Sequence, residues 1–228
     1  MAIVLHQWEV SPYCGKIRHI LRLKGLAFET VNYNGLHALR ARKLDPAGKL
    51  PVLDYDGERI ADSSRIAELL EQRHPAPQLY PANAQQRALA LLWEDWADEA
   101  LFWFEVYFRV ADPDALNATA ALFCAGRPPW ERLLIVPALR RDYRARLRAQ
   151  GLGCLPEPEV DRLFGQHLDR IEASLDGRAW LVGDSISIAD IAVQAMLAEI
   201  IRTSARRARI LARPNICRWL AAAAPQQR

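Results

Sequence analysis

The hydrophobic positions of the first 75 residues alternate between the spacing of strands and the spacing of helices. Short apolar runs predict strands, and apolar residues that recur every three or four positions predict helices. In chain order the predicted elements are a strand at Ile3–Trp8, a helix at Pro12–Lys24, a strand at Phe28–Asn32, a short helix within Gly35–Leu44, strands at Leu50–Tyr55 and Glu58–Ala61, and a helix at Ser64–Arg73. The dipeptide Asp56-Gly57 between the last two strands predicts a hairpin turn.

The pattern changes after a proline-rich stretch at 74–81, and helical spacing then dominates. One long helix is predicted to carry an apolar stripe rich in aromatic residues, whose members lie three or four positions apart. They are Leu89, Leu92, Trp93, Trp96, Ala100, Trp103 and Tyr107. Further helices are predicted at Arg140–Gln150, Glu159–Leu175, Ile188–Thr203 and Asn215–Ala223. Four prolines within 112–137 predict short helices or an irregular loop in that stretch.

These elements predict two domains of different class. The order βαβ, hairpin, helix is that of an α+β thioredoxin-like domain, which we place at 1–78. An all-α helical bundle follows at 85–228, after a linker at 79–84. Within the bundle, Ser187 and Asp190 have the spacing of a capping box, which predicts that a helix starts there. Loss of such a cap would lower the stability by about 1 kcal/mol.

The composition is that of an ordinary globular protein, with 228 residues, 51% hydrophobic and 25% charged. No apolar run approaches the ~18 residues of a membrane span, and the N-terminus lacks the charged segment of a secretory signal, so neither membrane insertion nor export is expected. The four cysteines, at 14, 124, 154 and 217, form neither metal-type pairs nor a disulfide framework. We therefore expect a cytoplasmic protein without a metal.

Arginine supplies most of the positive charge of a chain whose net charge is only +3. Two clusters stand out, one made of Arg140, Arg141, Arg144, Arg146 and Arg148, the other of Arg202, Arg206, Arg207, Arg209 and Arg213. Helical spacing predicts that both are solvated faces. Neither is accompanied by a recognition helix or an aromatic platform, so nucleic-acid binding is not expected.

The most informative motif is Ser11-Pro12-Tyr13-Cys14, which lies between the first strand and the first helix. Pro12 suits the first helical position, because its missing N–H would be unpaired there. A helix N-terminus offers unpaired N–H groups and a partial positive charge, which favour a thiolate over a thiol. The motif therefore indicates thiol chemistry, whereas the plainer alternative is that Ser11 caps the helix and Cys14 is an ordinary buried residue.

Five motifs in this order resemble those of the cytosolic glutathione transferases over nearly the whole chain. They are Ser11–Cys14 after the first strand, Lys49–Leu53 before the hairpin, Asp62–Ser64 at the next helix start, the aromatic helix after the linker, and Trp180–Asp184 leading into Ser187–Asp190. The resemblance implies the two-domain fold and a glutathione site in the first domain. It also implies a homodimer, since members of the family commonly dimerise.

The resemblance also implies roles for individual residues in holding glutathione. Pro51 would be a cis-proline, and the main chain of Leu50 would bind the cysteinyl backbone. Asp62 and Ser63 would hold the γ-glutamyl end through an ion pair, a hydroxyl and helix N–H groups. The remaining implied contacts are Lys49, near the glycyl carboxylate, and Tyr13, within the thiol motif.

Ser11 falls where the family carries its activating Ser or Cys. A thiol of pKa ~8.5 is about 3% ionised at pH 7, and one of pKa ~6.5 is about three-quarters ionised. That shift corresponds to ~2.7 kcal/mol, which a hydroxyl donor and a helix dipole are expected to supply. Cys14 is the rival, because it could form a mixed disulfide with glutathione.

The expected reaction joins the glutathione sulfur to a small hydrophobic electrophile. Trp96, Trp103 and Tyr107 are candidates to line the electrophile site. The proline-broken stretch 112–137 departs from the family's usual pair of helices, which leaves the electrophile open. Two alternatives remain: a glutathione-dependent oxidoreductase or dehalogenase that uses Cys14, and a non-catalytic binding or regulatory module of the same fold.

Overall fold

The computed structural model describes residues 2–224, which form two compact units. The first unit holds the described residues up to Leu79 together with Ala120–Ile135, and the second holds Tyr80–Thr119 with Val136–Ala224. The sequence-based limits, 1–78 and 85–228, assign Ala120–Ile135 to the second domain, whereas its contacts group it with the first unit.

The first unit is built on a four-stranded mixed sheet of order β2-β1-β3-β4. The strands are β1 (Ile3–Gln7), β2 (Glu29–Asn32), β3 (Val52–Tyr55) and β4 (Glu58–Ala61). The first strand pairs in parallel with β2 and antiparallel with β3, and β3 continues antiparallel into β4. Asp56 and Gly57 both have positive φ in the tight turn between β3 and β4, as the hairpin signal predicts.

Strand register brings four chain segments to one edge of this sheet. His6 lies opposite Val52, and Val52 lies opposite Ala61. Gln7 pairs with Asn32 at the same end. The residues after β1, after β2, before β3 and after β4 therefore meet at a single edge.

Two helices, α1 (Pro12–Leu23) and α2 (Ser63–Arg73), begin at that edge. Their apolar faces are buried, through residues such as Ile17 in α1 and Ile66 in α2. A 3₁₀ helix, Gly35–Lys43, follows β2 where the sequence predicted a short helix.

The remaining helices are α3 (Ala84–Trp96), α4 (Phe102–Ala111), α5 (Pro113–Phe123), α6 (Pro129–Gln150), α7 (Glu157–Ser174), α8 (Ile188–Thr203), α9 (Arg207–Leu211) and α10 (Pro214–Ala222), with a 3₁₀ turn at Leu152–Cys154. The short α9 was not predicted. No helix among the described residues is long and apolar enough to cross a membrane.

The predicted aromatic helix is α3 and α4 joined by a π-helical turn, Ala97–Leu101. The buried face differs from the predicted stripe, because Leu92 is 65% exposed whereas Glu94 is buried. A π turn holds more residues than an α turn, so it rotates the two halves of the stripe out of register.

The prediction that prolines break residues 112–137 is only partly right. Pro113 and Pro129 each begin a helix, where a missing N–H costs nothing. Pro137 lies inside α6, which runs 22 residues, so the predicted start at Arg140 is wrong. Pro137 is exposed, and the helix continues through it although the proline lacks a backbone donor.

The second arginine cluster is largely neutralised within the second unit. Arg206 bonds Glu157 and Asp161, and Arg213 bonds Asp169 at 2.7 Å. A solvated and internally paired face therefore accounts for these arginines.

Candidate functional site

Ser11 lies at the sheet edge and caps α1. Its Oγ accepts a hydrogen bond from the Cys14 backbone N–H at 3.4 Å, and its side chain is mostly buried. An oxygen that accepts from the backbone keeps its own hydrogen to donate. The hydroxyl is thus able to donate to an anion at the start of the helix, where the dipole is also favourable.

Cys14 lies one turn further along and is fully buried. It packs in a cluster with Ala41, Leu50 and Val52, and it forms no disulfide. A thiol enclosed in this way lacks the access that thiol exchange requires. The neighbouring Tyr13 is partly exposed.

The segment before β3 presents backbone groups at the same edge. The Leu50–Pro51 peptide bond is cis, as the resemblance implied. Both residues are buried, while Lys49 is exposed. This geometry leaves the main chain of Leu50 beside the N-terminal end of β3.

Asp62 caps α2 from an unusual backbone conformation. Its carboxylate accepts from the N–H groups of Ser64, at 3.0 Å, and Arg65, at 3.2 Å. Asp62 is therefore the N-cap of α2. Asp62 nevertheless has φ of 81°, a region that costs a non-glycine residue about 1–3 kcal/mol. Backbone strain of this kind is commonest at binding and catalytic sites. The next residue, Ser63, is buried and is the first residue of α2.

The edge thus joins two helix N-termini with cap residues Ser11 and Asp62. The partial positive charge at both helix N-termini suits a ligand that carries several anionic groups. A hydrogen bond that was not predicted from the sequence also connects these helices. The fully buried Lys16 of α1 donates to the Ser64 hydroxyl of α2 at 3.3 Å. No cluster of His, Cys, Asp and Glu within residues 2–224 is arranged to hold a metal.

A chain of four polar side chains crosses the sheet beside this edge, and sequence reasoning also missed it. Tyr33 and Asp54 each lie 3.1 Å from a ring nitrogen of His6. Arg59 donates twice to Asp54, at 2.6 Å each, and these bonds lower the pKa of Asp54 to about 2. Burial raises the pKa of Tyr33. The only signal of it in the sequence is an acidic and a basic residue, Asp54 and Arg59, on the two strands of the predicted hairpin.

Arg59→Ala should remove an acid-sensitive part of the stability. Asp54 has a pKa of about 2 in the folded protein and of ~3.9 when unfolded. The unfolded chain therefore binds more protons between these values, so the stabilisation is present above pH ~4 and is lost as the pH falls towards ~2. We expect the variant to lose about 1–2 kcal/mol near pH 7, after allowance for solvent screening, and to converge on the wild type in acid.

Urea denaturation from about pH 3 to about pH 7 measures this difference. The exposed Arg65 of α2 provides the matched control, since Arg65→Ala should leave the pH dependence of stability unchanged. A constant gap between Arg59→Ala and wild type at every pH would contradict the assignment.

The three aromatic candidates, Trp96, Trp103 and Tyr107, all lie in the second unit and are partly exposed. Trp96 packs against Trp93 and His167, with ring centroids 5.3 Å apart in each case. Tyr107 lines a cavity of about 270 Å³ within the second unit. A role in electrophile binding stays a prediction for all three.

Two family models match the chain. One describes the glutathione S-transferase N-terminal domain and matches residues 5–78. The other describes the glutathione S-transferase C-terminal domain and matches residues 156–226. The first begins within β1 and covers the other three strands and both helices of the edge described above.

Similar proteins agree with these models. The isoprene-epoxide glutathione S-transferase of Rhodococcus sp. is 26% identical over 200 residues, which cover 84% of this chain and 81% of that protein. The β-etherase LigF of Sphingobium sp. shares the fold, with a TM-score of 0.69 at 23% identity over 97% of this chain and 94% of its own. A glutathione S-transferase of Methylobacillus flagellatus, solved with glutathione bound, is 26% identical with a TM-score of 0.62, over 97% and 94%. The chain therefore belongs to the glutathione S-transferase family and is an enzyme of that type.

Proposed function

We propose that this protein transfers the sulfur of glutathione to a small hydrophobic electrophile, with Ser11 as the residue that stabilises the thiolate. The observation that carries the proposal is the position of the Ser11 hydroxyl at the start of α1, at the edge where α2 also begins. A hydroxyl donor and a helix dipole together are of the right order to supply the ~2.7 kcal/mol that a shift of two pKa units requires.

Glutathione would lie along the sheet edge. Its γ-glutamyl carboxylate would meet the Ser63 backbone N–H and hydroxyl at the start of α2, and its ammonium would meet Asp62. The cysteinyl backbone would pair with the main chain of Leu50 beside Pro51, which leaves the sulfur near Ser11. Lys49, exposed at the end of its loop, would reach the glycyl carboxylate.

An epoxide is the electrophile class that we propose to test first. Attack on an epoxide carbon forms a C–S bond and breaks a C–O bond, and the resulting alkoxide takes a proton from solvent. The name of the Rhodococcus relative favours an epoxide as the first electrophile to test. Trp96, Trp103 and Tyr107 are the proposed apolar contacts, and a homodimer is the proposed assembly, with the exposed Leu89 and Leu92 of α3 available for contact.

Cys14→Ala should leave turnover of glutathione with styrene oxide within about twofold of wild type, because a fully buried thiol is not the nucleophile. Consumption of thiol, followed at saturating styrene oxide, measures this. The oxidoreductase alternative predicts instead that Cys14→Ala abolishes turnover, and that result would overturn our choice of Ser11.

The non-catalytic alternative is separated by binding. Calorimetric titration of the wild type with glutathione should give saturable heat at submillimolar concentration, a range typical of enzyme substrates. Heat without turnover would favour a binding module, and no heat at millimolar glutathione would contradict the proposed function altogether.

A further inference from the structure

The stretch between α5 and α6 reaches back to the loop that follows β2. The Asn34 side-chain amide donates to the Ala125 carbonyl at 2.9 Å, and the Leu36 backbone N–H donates to the Glu131 carboxylate at 2.9 Å. Phe123 also meets Trp8 edge-on, with ring centroids 6.0 Å apart. Residues 120–135 are therefore fastened to the first unit at the edge that carries the proposed glutathione site.

Glu131 is the centre of this attachment. It is only 1% exposed, and Arg127 holds it with two hydrogen bonds, at 3.1 and 2.5 Å. Hydrogen bonding to Arg127, followed by the Leu36 N–H, lowers the pKa of Glu131. A buried carboxylate paired in this way is a strong and fixed acceptor for a backbone N–H.

Gly35 leaves room for the carboxylate. Its φ is +59°, and a Cβ placed there would lie 2.1 Å from Glu131 Oε2 and 2.9 Å from Arg127 Cγ. No other residue type fits without moving this pair apart. The attachment thus acts directly on the first residue of the 3₁₀ helix Gly35–Lys43.

That 3₁₀ helix borders the proposed glutathione site. Its Ala41 packs in one cluster with Leu50 and Val52. Arg42 lies against Gly48, where a Cβ would come within 2.7 Å of the Arg42 side chain. The segment carries His37, Arg40, Arg42 and Lys43 and contains no acidic residue. The positive charge of this segment suits the glycyl carboxylate of a glutathione molecule that extends past Leu50.

We propose that Glu131 is a positioning residue for glutathione: by holding Gly35 and Leu36, it fixes the basic 3₁₀ helix where its cations meet the glycyl carboxylate. This inference rests on the proposed function, and it adds a residue from outside the 1–78 stretch to the glutathione site. In this proposal Glu131 does not touch the thiol or the electrophile. Its loss should therefore weaken only the binding of the glycyl end of glutathione.

The test compares glutathione with γ-glutamylcysteine, which has the same thiol but lacks the glycine. For Glu131→Ala we expect the KM for glutathione to rise about tenfold, kcat at saturation to stay within about twofold, and the KM for γ-glutamylcysteine to stay unchanged. Glu131→Gln keeps an acceptor for Leu36 but loses the charge, so its KM should fall between the two. Gly35→Ala should reproduce the Glu131→Ala pattern, because its Cβ would displace the carboxylate.

Glu159 is the matched control, because Arg162 holds it with two bonds, at 2.8 and 2.6 Å, on α7. Glu159→Ala should leave both KM values unchanged. Equal rises in KM for the two thiols, or no rise for either, would overturn the positioning role. If Glu131→Ala does not fold, the milder Glu131→Gln decides by the same comparison. A wild type that uses neither thiol would instead refute the proposed function, and the inference with it.

Discussion

Ser11→Ala should lower kcat/KM for styrene oxide, measured at saturating glutathione, by about 25- to 100-fold near neutral pH. Removing the hydroxyl takes away the donor that stabilises the thiolate, so the thiol pKa returns from ~6.5 towards its ordinary ~8.5. The ionised fraction at pH 7 then falls from about three-quarters to about 3%. The loss should shrink as the pH rises and nearly vanish by pH ~9, because both enzymes then hold mostly thiolate.

The pH dependence of kcat/KM for styrene oxide at saturating glutathione measures this effect in wild type and Ser11→Ala, because the enzyme is then already in its glutathione complex. Ser174→Ala is the matched control, since the Ser174 hydroxyl lies on α7 and donates only to the Arg170 carbonyl, at 2.8 Å. It should behave as wild type at every pH. A pH-independent loss in Ser11→Ala would show that the hydroxyl orients the substrate rather than lowering its pKa.

Asp190→Ala should destabilise the folded protein by about 3–5 kcal/mol. The fully buried Asp190 carboxylate accepts from the Leu181 N–H, the Trp219 indole N–H, and both the N–H and Oγ of Ser187, each at 2.9 Å. Alanine would leave these donors buried without an acceptor. Each such group costs about 1–3 kcal/mol, which exceeds the value of the helix cap alone.

Chemical denaturation of Asp190→Ala against wild type measures the loss. Asp142→Ala is the control, because Asp142 is an exposed acid on α6 that pairs with Arg146 at 2.9 Å, and its loss should cost less than about 0.5 kcal/mol. A similar small loss at Asp190 would mean that water replaces the carboxylate and that the capping box is not a stability determinant.

Local signals predicted the elements whose ends are set by local chemistry. The helix Ile188–Thr203 begins and ends as predicted, because its start is fixed by Ser187 and Asp190. The Asp56-Gly57 turn has the positive φ values that its residue types favour. The start of α1 follows from Pro12 in the same way.

Elements whose form depends on distant contacts were not predictable in this way. Pro137 lies inside α6, whereas the local rule predicts that a proline at a helix-interior position ends the helix. The π turn at Ala97–Leu101 likewise has no signature in the apolar spacing, so the buried face of α3 was misassigned.

The candidate site likewise contains residues that local motifs predict and one residue that depends on a distant contact. Ser11, Pro51 and Asp62 lie in motifs whose residue types and order are visible in the sequence, and strand register brings those motifs to one edge. Glu131 is 95 residues from its partner Leu36, and its Arg127 pairing looks like an ordinary helix surface pair in the sequence. Only the fold shows that Glu131 is buried and lies against Gly35.

Ultraviolet difference spectroscopy of the wild type saturated with glutathione tests the central claim most directly. We expect thiolate absorbance that titrates with a pKa of ~6.5 and that moves towards ~8.5 in Ser11→Ala. A bound thiol that stays protonated until pH ~8.5 in the wild type would contradict the account, because Ser11 and the α1 dipole would then supply no stabilisation to the sulfur.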